Sequence, residues 1–266
     1  RWLILFAASP EDTTNWDIWT MATSNFSALD SILWLESDRM GNLLGAITQE
    51  KIDEQRDVVK NEKRQGDNRP YGKGAHLQYK NIYPAGHPYS WLPIGSMEDL
   101  DAASLEDVHA WFKKYYGAAN TVLVIAGDVD TKEVIKKVEH FFGNVDPGPP
   151  LSQHEAWVAK LTGVRKQVSY DRVPQTMMMK SWNTPGHSTE DSNYLSMVGD
   201  VLSSGKNSRL YKRLIYDEQL VSSVNAYVSG LEIAGTFEIT AMINPDVDEA
   251  KVDAIIEEEM AKFLKQ

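Results

Sequence analysis

Apolar residues recur at three- and four-residue spacing near the start of the chain. The stretch from Ser27 to Gly45 has this spacing, and Ser27 can act as an N-cap, so an amphipathic helix is predicted there. Its expected core face consists of Leu29, Ile32, Leu33, Met40, Leu43 and Leu44. A second helix is predicted to follow directly, with Thr48 as its N-cap.

The second predicted helix, residues 52–65 (IDEQRDVVKNEKRQ), carries polar residues on a side that should be apolar. At about 100° per residue, Gln55 and Glu62 project within the arc bounded by Val58 and Val59. A buried carboxylate without a partner is costly, so it normally has a hydrogen bond, a counter-charge or a metal. We therefore expect Glu62 to point inward. Taken alone, it is explained by pairing with a Lys or Arg.

The middle of the chain gives signals for a long loop, a helix and a strand. Residues 66–98 contain Gly, Pro, Tyr and His without a clear period, which predicts a long ordered loop. Ser104 and Asp107 predict a capping box at the start of a helix that Gly117 ends. The stretch 120–130 (NTVLVIAGDVD) predicts a buried strand followed by a turn.

Proline and glycine mark a boundary after the next helix. That helix is predicted to begin with Thr131 as its cap and to end at Gly143. Residues 146–153 (DPGPPLSQ) contain three prolines and a glycine, which predicts a linker. The elements predicted beyond it are strands at 165–173, 175–182, 220–230 and 235–244 and helices at 191–203, 207–218 and 247–264.

The two sides of this linker mix strands and amphipathic helices in a similar order. That order predicts an α+β fold of two related modules, each a mixed β-sheet with helices packed on one face. The predicted boundaries are 1–145 for the first domain, 146–158 for the linker and 159–266 for the second domain.

Composition narrows the classes of partner and site. The formal net charge of −11 argues against nucleic acid or an anionic membrane as the main partner. Because the chain has no cysteine, disulfides and thiolate metal sites are excluded, and any metal must be bound by His, Asp or Glu. No segment reaches the roughly 20 apolar residues that a membrane span needs. The apolar opening RWLILFAASP is interpreted as a strand or a cut end.

Several motifs occur in a fixed order: LWLESDRMG, QRDVVKNEKRQ, NRPYGKG, HPYSWLPIGSMEDL and NTVLVIAGDVD, then SSGKNSRLYKRLIYDEQL beyond the linker. Together they resemble the insulinase/pitrilysin-type (M16) zinc peptidases, the inverzincins, over roughly residues 13–264. The resemblance implies the metallohydrolase fold shared by LuxS and the mitochondrial processing peptidase. Residues 1–145 would then be the C-terminal part of the zinc-bearing domain, and residues 159–266 the N-terminal part of the second homologous domain.

The resemblance also implies roles for two residues of the second helix. In this family, zinc is bound by an H-x-x-E-H motif and a further Glu downstream. Glu62 matches the downstream position, which implies that it is the third zinc ligand, while Gln55 would orient a ligand or a water without transferring a proton. Zinc would acidify a bound water, and the Glu between the histidines would act as general base. The implied activity of the complete protein is zinc-dependent hydrolysis of peptides or proteins.

The chain departs from the family pattern in two places. None of the six histidines begins an H-x-x-E-H motif, so each is interpreted as a structural or surface residue. The family spacing places that motif upstream of Arg1, and the chain is therefore expected to be an inactive fragment. Ile215 and Ser222 stand where the family has a substrate-gripping Arg and Tyr. A second M16 half or subunit is expected to supply that pair.

A peptide substrate is expected to bind as an added strand at a sheet edge that includes residues 17–24. Ile18, Thr20 and Ala22 are the predicted contact residues, because backbone hydrogen bonds at an edge tolerate varied sequences. The alternative is a non-catalytic M16-like partner subunit with a structural or assembly role, in which Glu62 pairs with a basic side chain. The periplasm is the expected compartment, by analogy with exported bacterial relatives, and the cytoplasm is the alternative.

Overall fold

The strands of the described residues form two three-stranded sheets. The computed structural model describes residues 2–8, 20–23, 26–151 and 155–265. The chain divides into two compact units, the first made of residues 1–62 and 93–154 and the second of residues 63–92 and 155–266. Each unit contains one of the sheets, so the two are taken in turn.

The α-helices of the described residues are α1 (Phe26–Ala46), α2 (Gln49–Asp67), α3 (Gly74–Ile82), α4 (Met97–Ala102), α5 (Leu105–Tyr115), α6 (Thr131–Phe142), α7 (Glu190–Ser203) and α8 (Glu249–Phe263). A short 3₁₀ turn covers Ala118–Asn120, and a π-helical turn covers Tyr211–Asp217. These bounds confirm the predicted helices α1, α2, α5, α6, α7 and α8.

The sheet of the first unit has β1 at its centre. Strand β1 (Trp2–Ala8) pairs antiparallel with β2 (Thr20–Thr23) on one side and with β3 (Val122–Ala126) on the other. Among the strands that the structure describes, β2 is therefore an outer strand of this sheet. The interpretation of the opening residues as a strand is confirmed.

Helices α1 and α6 form the core of the first unit. Leu29, Ile32 and Leu33 of α1 are buried together with Val134 of α6, and half-buried side chains of β3 pack against them. The first turns of the predicted α1 core face are thus confirmed. Its later members, Met40, Leu43 and Leu44, are only half-buried.

The stretch predicted as a buried strand at 120–130 contains β3, but β3 is half-buried on one face and exposed on the other. Leu123 and Ile125 pack against the core of the first unit. Val122 and Val124 are 56% and 45% exposed. Because successive side chains of a strand point to opposite faces, a continuous apolar run does not by itself prove burial on both.

Two predicted N-caps are confirmed by their hydrogen bonds. The Thr48 hydroxyl accepts from the Lys51 amide at 3.3 Å at the start of α2. At the start of α5, the Ser104 hydroxyl accepts from the Asp107 amide at 3.1 Å, and the Asp107 carboxylate accepts from the Ser104 amide at 2.9 Å. This reciprocal pair is the capping box that the sequence predicts.

Two other predicted N-caps are wrong. The cap of α6 is Asp130, whose carboxylate accepts from the Glu133 amide at 3.0 Å, so Thr131 is the first helical residue. A carboxylate satisfies this donor and also interacts favourably with the positive end of the helix dipole. Helix α1 already includes Ser27, which places the predicted cap inside the helix.

The long loop predicted at 66–98 is also wrong, because it contains α3. The N-cap residue of α3, Lys73, makes no side-chain capping hydrogen bond, and Ile82 is the one buried residue of this helix. Neither a cap signal nor a repeated apolar position therefore marked this nine-residue helix in the sequence.

The first residues of the predicted linker are held against the end of α5. The amides of Ala118 and Ala119 donate to the carbonyl oxygens of Asp146 and Pro147 at 2.9 and 3.0 Å. A Cβ on Gly117 would lie 2.3 Å from the Pro147 carbonyl oxygen, so only glycine fits at this close approach.

In the second unit, β6 (Gly235–Ile243) lies between β4 (Thr176–Thr184) and β5 (Val221–Gly230), antiparallel to both. Residues 221–230 and 235–243 form the predicted hairpin. One sheet face is covered by α7, the π-helical turn and α8, with a core that includes Leu202, Leu214, Ile239, Val252 and Ile256. Helix α3 contacts β4, and its Gln78 side chain donates to the Ser181 hydroxyl on the opposite face at 3.0 Å.

The strand predicted at 165–173 is not formed. These residues have no regular secondary structure, and Val168 and Tyr170 are 59% and 94% exposed. Alternation of apolar and polar residues indicates a strand only if a neighbouring strand pairs with it.

The predicted fold class, α+β with helices packed on sheets, is confirmed. In the part of the chain that the structure describes, every neighbouring strand pair is antiparallel, so the parallel pairs of a mixed sheet are not among them. The predicted domain boundaries 1–145, 146–158 and 159–266 stay a prediction, since the compact units follow a different division that places 63–92 with the second unit.

Candidate functional site

Helix α2 is held in the first unit through a basic residue. The Arg56 guanidinium donates from Nε to the Leu100 carbonyl oxygen at 2.8 Å and from Nη2 to the Ala103 carbonyl oxygen at 2.6 Å. These carbonyls lie at the C-terminal end of α4, where helix carbonyls have no intrahelical partner and a cation is favourable. Lys60 adds an ion pair with Asp101 at 2.5 Å. The side of α2 that carries Arg56 and Lys60 is therefore fixed by polar contacts.

The expectation that Gln55 and Glu62 point inward is wrong. Both side chains are exposed, Val58 beside them is 45% exposed, and α2 has no buried residue. The half-buried arc of α2 is instead centred on Ile52 and Arg56. Long basic side chains can bury their aliphatic stems while their charged ends reach partners, so counting apolar residues alone placed the inner face about a quarter turn away.

A single carboxylate does not make a zinc site. Zinc in proteins takes three or four His, Cys, Asp or Glu ligands at short distance. Within the described ranges, no group of three such side chains is placed to hold a metal ion. The residues at hand therefore do not fit zinc by themselves, and Glu62 provides at most one ligand.

The predicted substrate-contact residues lie on or beside strand β2. Thr20 and Ala22 are opposite Leu5 and Leu3 of β1 in the antiparallel register. Ile18 lies outside the described residues. Because β2 is an outer strand among those described, its other edge is where an added strand would pair.

One buried histidine has a structural role. His87 is fully buried, its Nδ1 accepts from the Tyr89 amide at 3.0 Å, and its Nε2 lies 2.8 Å from the Trp157 carbonyl oxygen. A neutral imidazole with the proton on Nε2 satisfies both contacts. The ring is stacked on Tyr83 with centroids 4.4 Å apart. His87 is therefore fully used in packing, as the sequence interpretation of the histidines expects.

Ile215 and Ser222, which stand where the family has an Arg and a Tyr, make only local contacts within the second unit. Ile215 lies in the π-helical turn and packs, half-buried, against the core of the second unit. Ser222 is exposed at an irregularity of β5, where its hydroxyl donates to the Gln175 side chain at 3.1 Å. Neither side chain can replace a guanidinium or a phenol in binding a substrate backbone.

Sequence reasoning missed a buried carboxylate on β6. Glu238 is 5% exposed. It accepts hydrogen bonds from the Tyr227 hydroxyl at 2.8 Å and from the Thr236 hydroxyl at 2.6 Å. The alternation in GTFEITAMI places Glu238 on the face opposite the apolar core, and the sequence alone predicts that this face is exposed to solvent. Its burial could not be seen without knowing that further chain lies over that face.

This carboxylate affects the neighbouring phenols. Burial, followed by the hydrogen bond to Glu238, raises the pKa of Tyr227 to about 12. Burial also raises the pKa of Tyr79, and the negative charge of Glu238 adds to that effect. Both phenols therefore keep their protons to higher pH than an ordinary tyrosine.

Comparison with known proteins identifies the family. The family model for the peptidase M16 inactive domain matches residues 102–266, more than half of the chain. The chain belongs to the peptidase M16 family. The resemblance inferred from the ordered motifs is thereby confirmed, and the match begins upstream of the predicted linker.

Relatives of this M16 chain are named zinc proteases. It is 28% identical over 245 residues to the zinc protease PqqE of Helicobacter pylori, covering 89% of this chain and 53% of that protein. It is 26% identical to an uncharacterized zinc protease of Mycobacterium leprae, covering 82% of this chain and 49% of that protein. The chain therefore spans about half the length of the curated relatives it matches.

Solved structures share the fold. A protease from Helicobacter pylori superimposes with a TM-score of 0.79 at 20% identity, covering 99% of this chain and 74% of that one. The periplasmic protease PqqL from Escherichia coli superimposes with a TM-score of 0.65 at 10% identity, covering 92% of this chain and 33% of that one. Among the helices described for this M16 chain, none is both long and apolar enough to cross a membrane.

Proposed function

We propose that this chain is part of a zinc-dependent metalloendopeptidase of the inverzincin class that hydrolyses peptides. In this proposal, Glu62 is the third zinc ligand and Gln55 orients a ligand or a water. One observation carries it: Gln55, Val58 and Glu62 are exposed together on α2, whose other arc Arg56 fixes to α4. A carboxylate on this exposed arc can bind a cation together with ligands from another element of the protein.

The proposal requires ligands from outside these residues. Since Glu62 is one ligand, the two histidines of an H-x-x-E-H motif must come from sequence beyond the 266 residues given. The chain alone is expected neither to bind zinc tightly nor to cleave peptides. Stoichiometric zinc in this purified chain would contradict the proposed arrangement.

A peptide substrate is proposed to add as a strand beside β2, with Ile18, Thr20 and Ala22 in contact with it. The outer position of β2 among the described strands supports this proposal. Because Ile215 and Ser222 lack the chemistry of the family's Arg and Tyr, a second M16 half or subunit is proposed to supply that pair.

The decisive experiment uses a longer protein that contains this chain together with an H-x-x-E-H segment. Glu62→Gln should abolish chelator-sensitive cleavage of a fluorogenic peptide and lower the zinc content measured by mass spectrometry. The matched control is Glu54→Gln, an exposed glutamate on the same helix, which should leave both unchanged. If the two variants retain equal zinc and equal activity, Glu62 is not a ligand.

A second candidate function is a non-catalytic M16 partner subunit with a structural or assembly role. The matched family model describes an inactive domain, and this favours the alternative. Sequence upstream of Arg1 in the coding frame distinguishes the two functions. An in-frame H-x-x-E-H supports the peptidase, whereas a start codon without that motif supports the partner subunit.

We also propose the periplasm as the compartment, with the cytoplasm as the alternative. The support is the structural similarity to PqqL, which is described as periplasmic. Cell fractionation of the native host, with antibodies against this chain, tests the proposal. Recovery with the cytoplasmic marker would contradict it.

A further inference from the structure

The carboxylate of Glu238 is buried in the centre of the second sheet without a cation among the residues described. Its two hydrogen bonds come from the neutral hydroxyls of Tyr227 and Thr236. Glu259, the other buried glutamate of this unit, contacts Lys262 at 2.9 Å and Arg209 at 3.8 Å. Burying a charge is costly unless it is paired, so the contrast between these two glutamates needs an explanation.

The strand register shows why no cation reaches Glu238 from its own sheet. Its cross-strand neighbours are Ser181 on β4 and Tyr227 on β5. Along β6, the same face carries Thr236 and Thr240. The nearest neighbours of Glu238 on this face are therefore hydroxyl groups, and none of them is a cation. Lys180 lies on the opposite face, where it pairs with Asp253 and Glu257 of α8.

Tyr227, the phenol that bonds the carboxylate, is accessible from the β5 side. Strand β5 is an outer strand among those described for this sheet, and Tyr227 is 43% exposed although its hydroxyl bonds Glu238. Asn225, two residues earlier on the same face, is also exposed. A cation bound at the exposed part of Tyr227 would therefore lie next to the buried carboxylate.

We propose that Glu238 and Tyr227 form a binding site for the ammonium or guanidinium group of a Lys or Arg side chain in a peptide. Each carboxylate oxygen accepts one hydrogen bond in the described structure and has a further lone pair for a charged donor. The electron-rich face of the Tyr227 ring also attracts cations. The choice of a peptide as ligand rests on the proposed peptidase function, whereas the preference for a cation rests on Glu238 alone.

Calorimetric titration of the 266-residue chain tests the proposal directly. The probes are two end-blocked pentapeptides that differ only in a central Lys or norleucine, so that neither chain end adds charge. The Lys peptide should bind about tenfold more tightly at low ionic strength, as expected for one charge-assisted hydrogen bond. Equal affinities would overturn the proposal. No zinc or cleavage is involved, so the result is independent of the test of Glu62.

Matched variants test whether the preference for the Lys peptide comes from Glu238. Glu238→Gln should remove the discrimination between the two peptides, whereas Glu155→Gln, at an exposed glutamate, should retain it. Retained discrimination in Glu238→Gln would overturn the proposal, because the preference would then come from the general negative charge of the chain.

A measurement on the unaltered chain decides the matter if Glu238→Gln does not fold. The ring resonances of Tyr227, assigned by their loss in Tyr227→Phe, should shift when the Lys peptide is added and stay in place with the norleucine peptide. Resonances that do not move at saturating Lys peptide would overturn the proposal.

Discussion

The Nε–H of Arg56 donates to the carbonyl oxygen of Leu100 at 2.8 Å, and this contact, with its neighbour to Ala103, fixes α2 against the end of α4. The charged end of the side chain thus takes the place that an apolar residue holds in most helix contacts. Both acceptors are carbonyls that α4 cannot satisfy within itself.

Replacing Arg56 with Met should lower the free energy of unfolding by about 2 kcal/mol, because two carbonyl groups lose a charged donor while the apolar stem is kept. Equilibrium urea unfolding followed by tryptophan fluorescence measures the change. Arg64→Met, at an exposed position of the same helix, should stay within about 0.5 kcal/mol of the parent chain. Equal effects would show that the contacts of Arg56 contribute nothing.

The N-cap of α6 offers a comparison of adjacent residues. Asp130→Ala should destabilise the chain by about 1 kcal/mol, because the Glu133 amide loses its acceptor. Thr131→Ala should lower the free energy of unfolding clearly less, since Thr131 is not the cap. Thermal unfolding by circular dichroism gives both values. A larger loss for Thr131→Ala would mean that the cap assigned from the sequence is correct.

Two helical glycines should respond in opposite directions to alanine. A Cβ on Gly199 of α7 would lie 2.7 Å from the Ala226 carbonyl oxygen of β5, so Gly199→Ala should destabilise the chain by about 1–3 kcal/mol. A Cβ on Gly41 of α1 would meet no neighbouring side chain or strand within 4 Å among the described residues, and Gly41→Ala should stabilise by about 0.5–1 kcal/mol. Denaturant midpoints of the two variants, measured side by side, should fall on opposite sides of the parent value.

Stability should fall in alkaline solution partly through Tyr227. Its pKa is raised from 10.0 to about 12 in the folded chain. A raised folded pKa means that the protonated phenol stabilises the fold below pH 10 and that this contribution is lost as pH rises toward 12. Tyr227→Phe should therefore lose less stability than the parent chain between these pH values.

The control for this pH dependence is Tyr170→Phe, because Tyr170 is 94% exposed. In alkaline titration, the late-titrating part of the phenolate absorbance should shrink by one phenol in Tyr227→Phe, because Tyr79, Tyr83 and Tyr89 also have raised pKa values, whereas Tyr170→Phe should keep it in full. If the late component is undiminished in Tyr227→Phe, burial and the hydrogen bond to Glu238 do not raise the pKa of this phenol.

Sequence patterns predicted the elements whose signals are local. Helix α5 has a complete capping box, α1 repeats Leu29, Ile32 and Leu33 on one face, and the β5–β6 hairpin alternates cleanly. The ordered motifs also identified the family. In each of these cases the information lies within a few consecutive residues or in their order along the chain.

The remaining features depend on what lies across from a residue in space. From the sequence alone, Arg56 is predicted to face solvent, because its carbonyl partners at the end of α4 are distant in the chain. The predicted inner face of α2 was therefore displaced from the observed one. Helix α3 has no capping side chain at Lys73. Glu238 alternates like an exposed position although it is buried. Of the candidate site, the sequence placed Glu62 on a helix but could not place its surroundings.

The contact between Gly117 and Pro147 shortens the segment that a protease can reach. The composition of residues 146–148 is that of a flexible hinge, yet the carbonyl oxygens of Asp146 and Pro147 accept hydrogen bonds from the amides of Ala118 and Ala119. A cleavage sequence engineered into this segment should therefore follow Gly148. An insertion before it would pull the end of α5 out of place, and the fragment released would carry a damaged terminus.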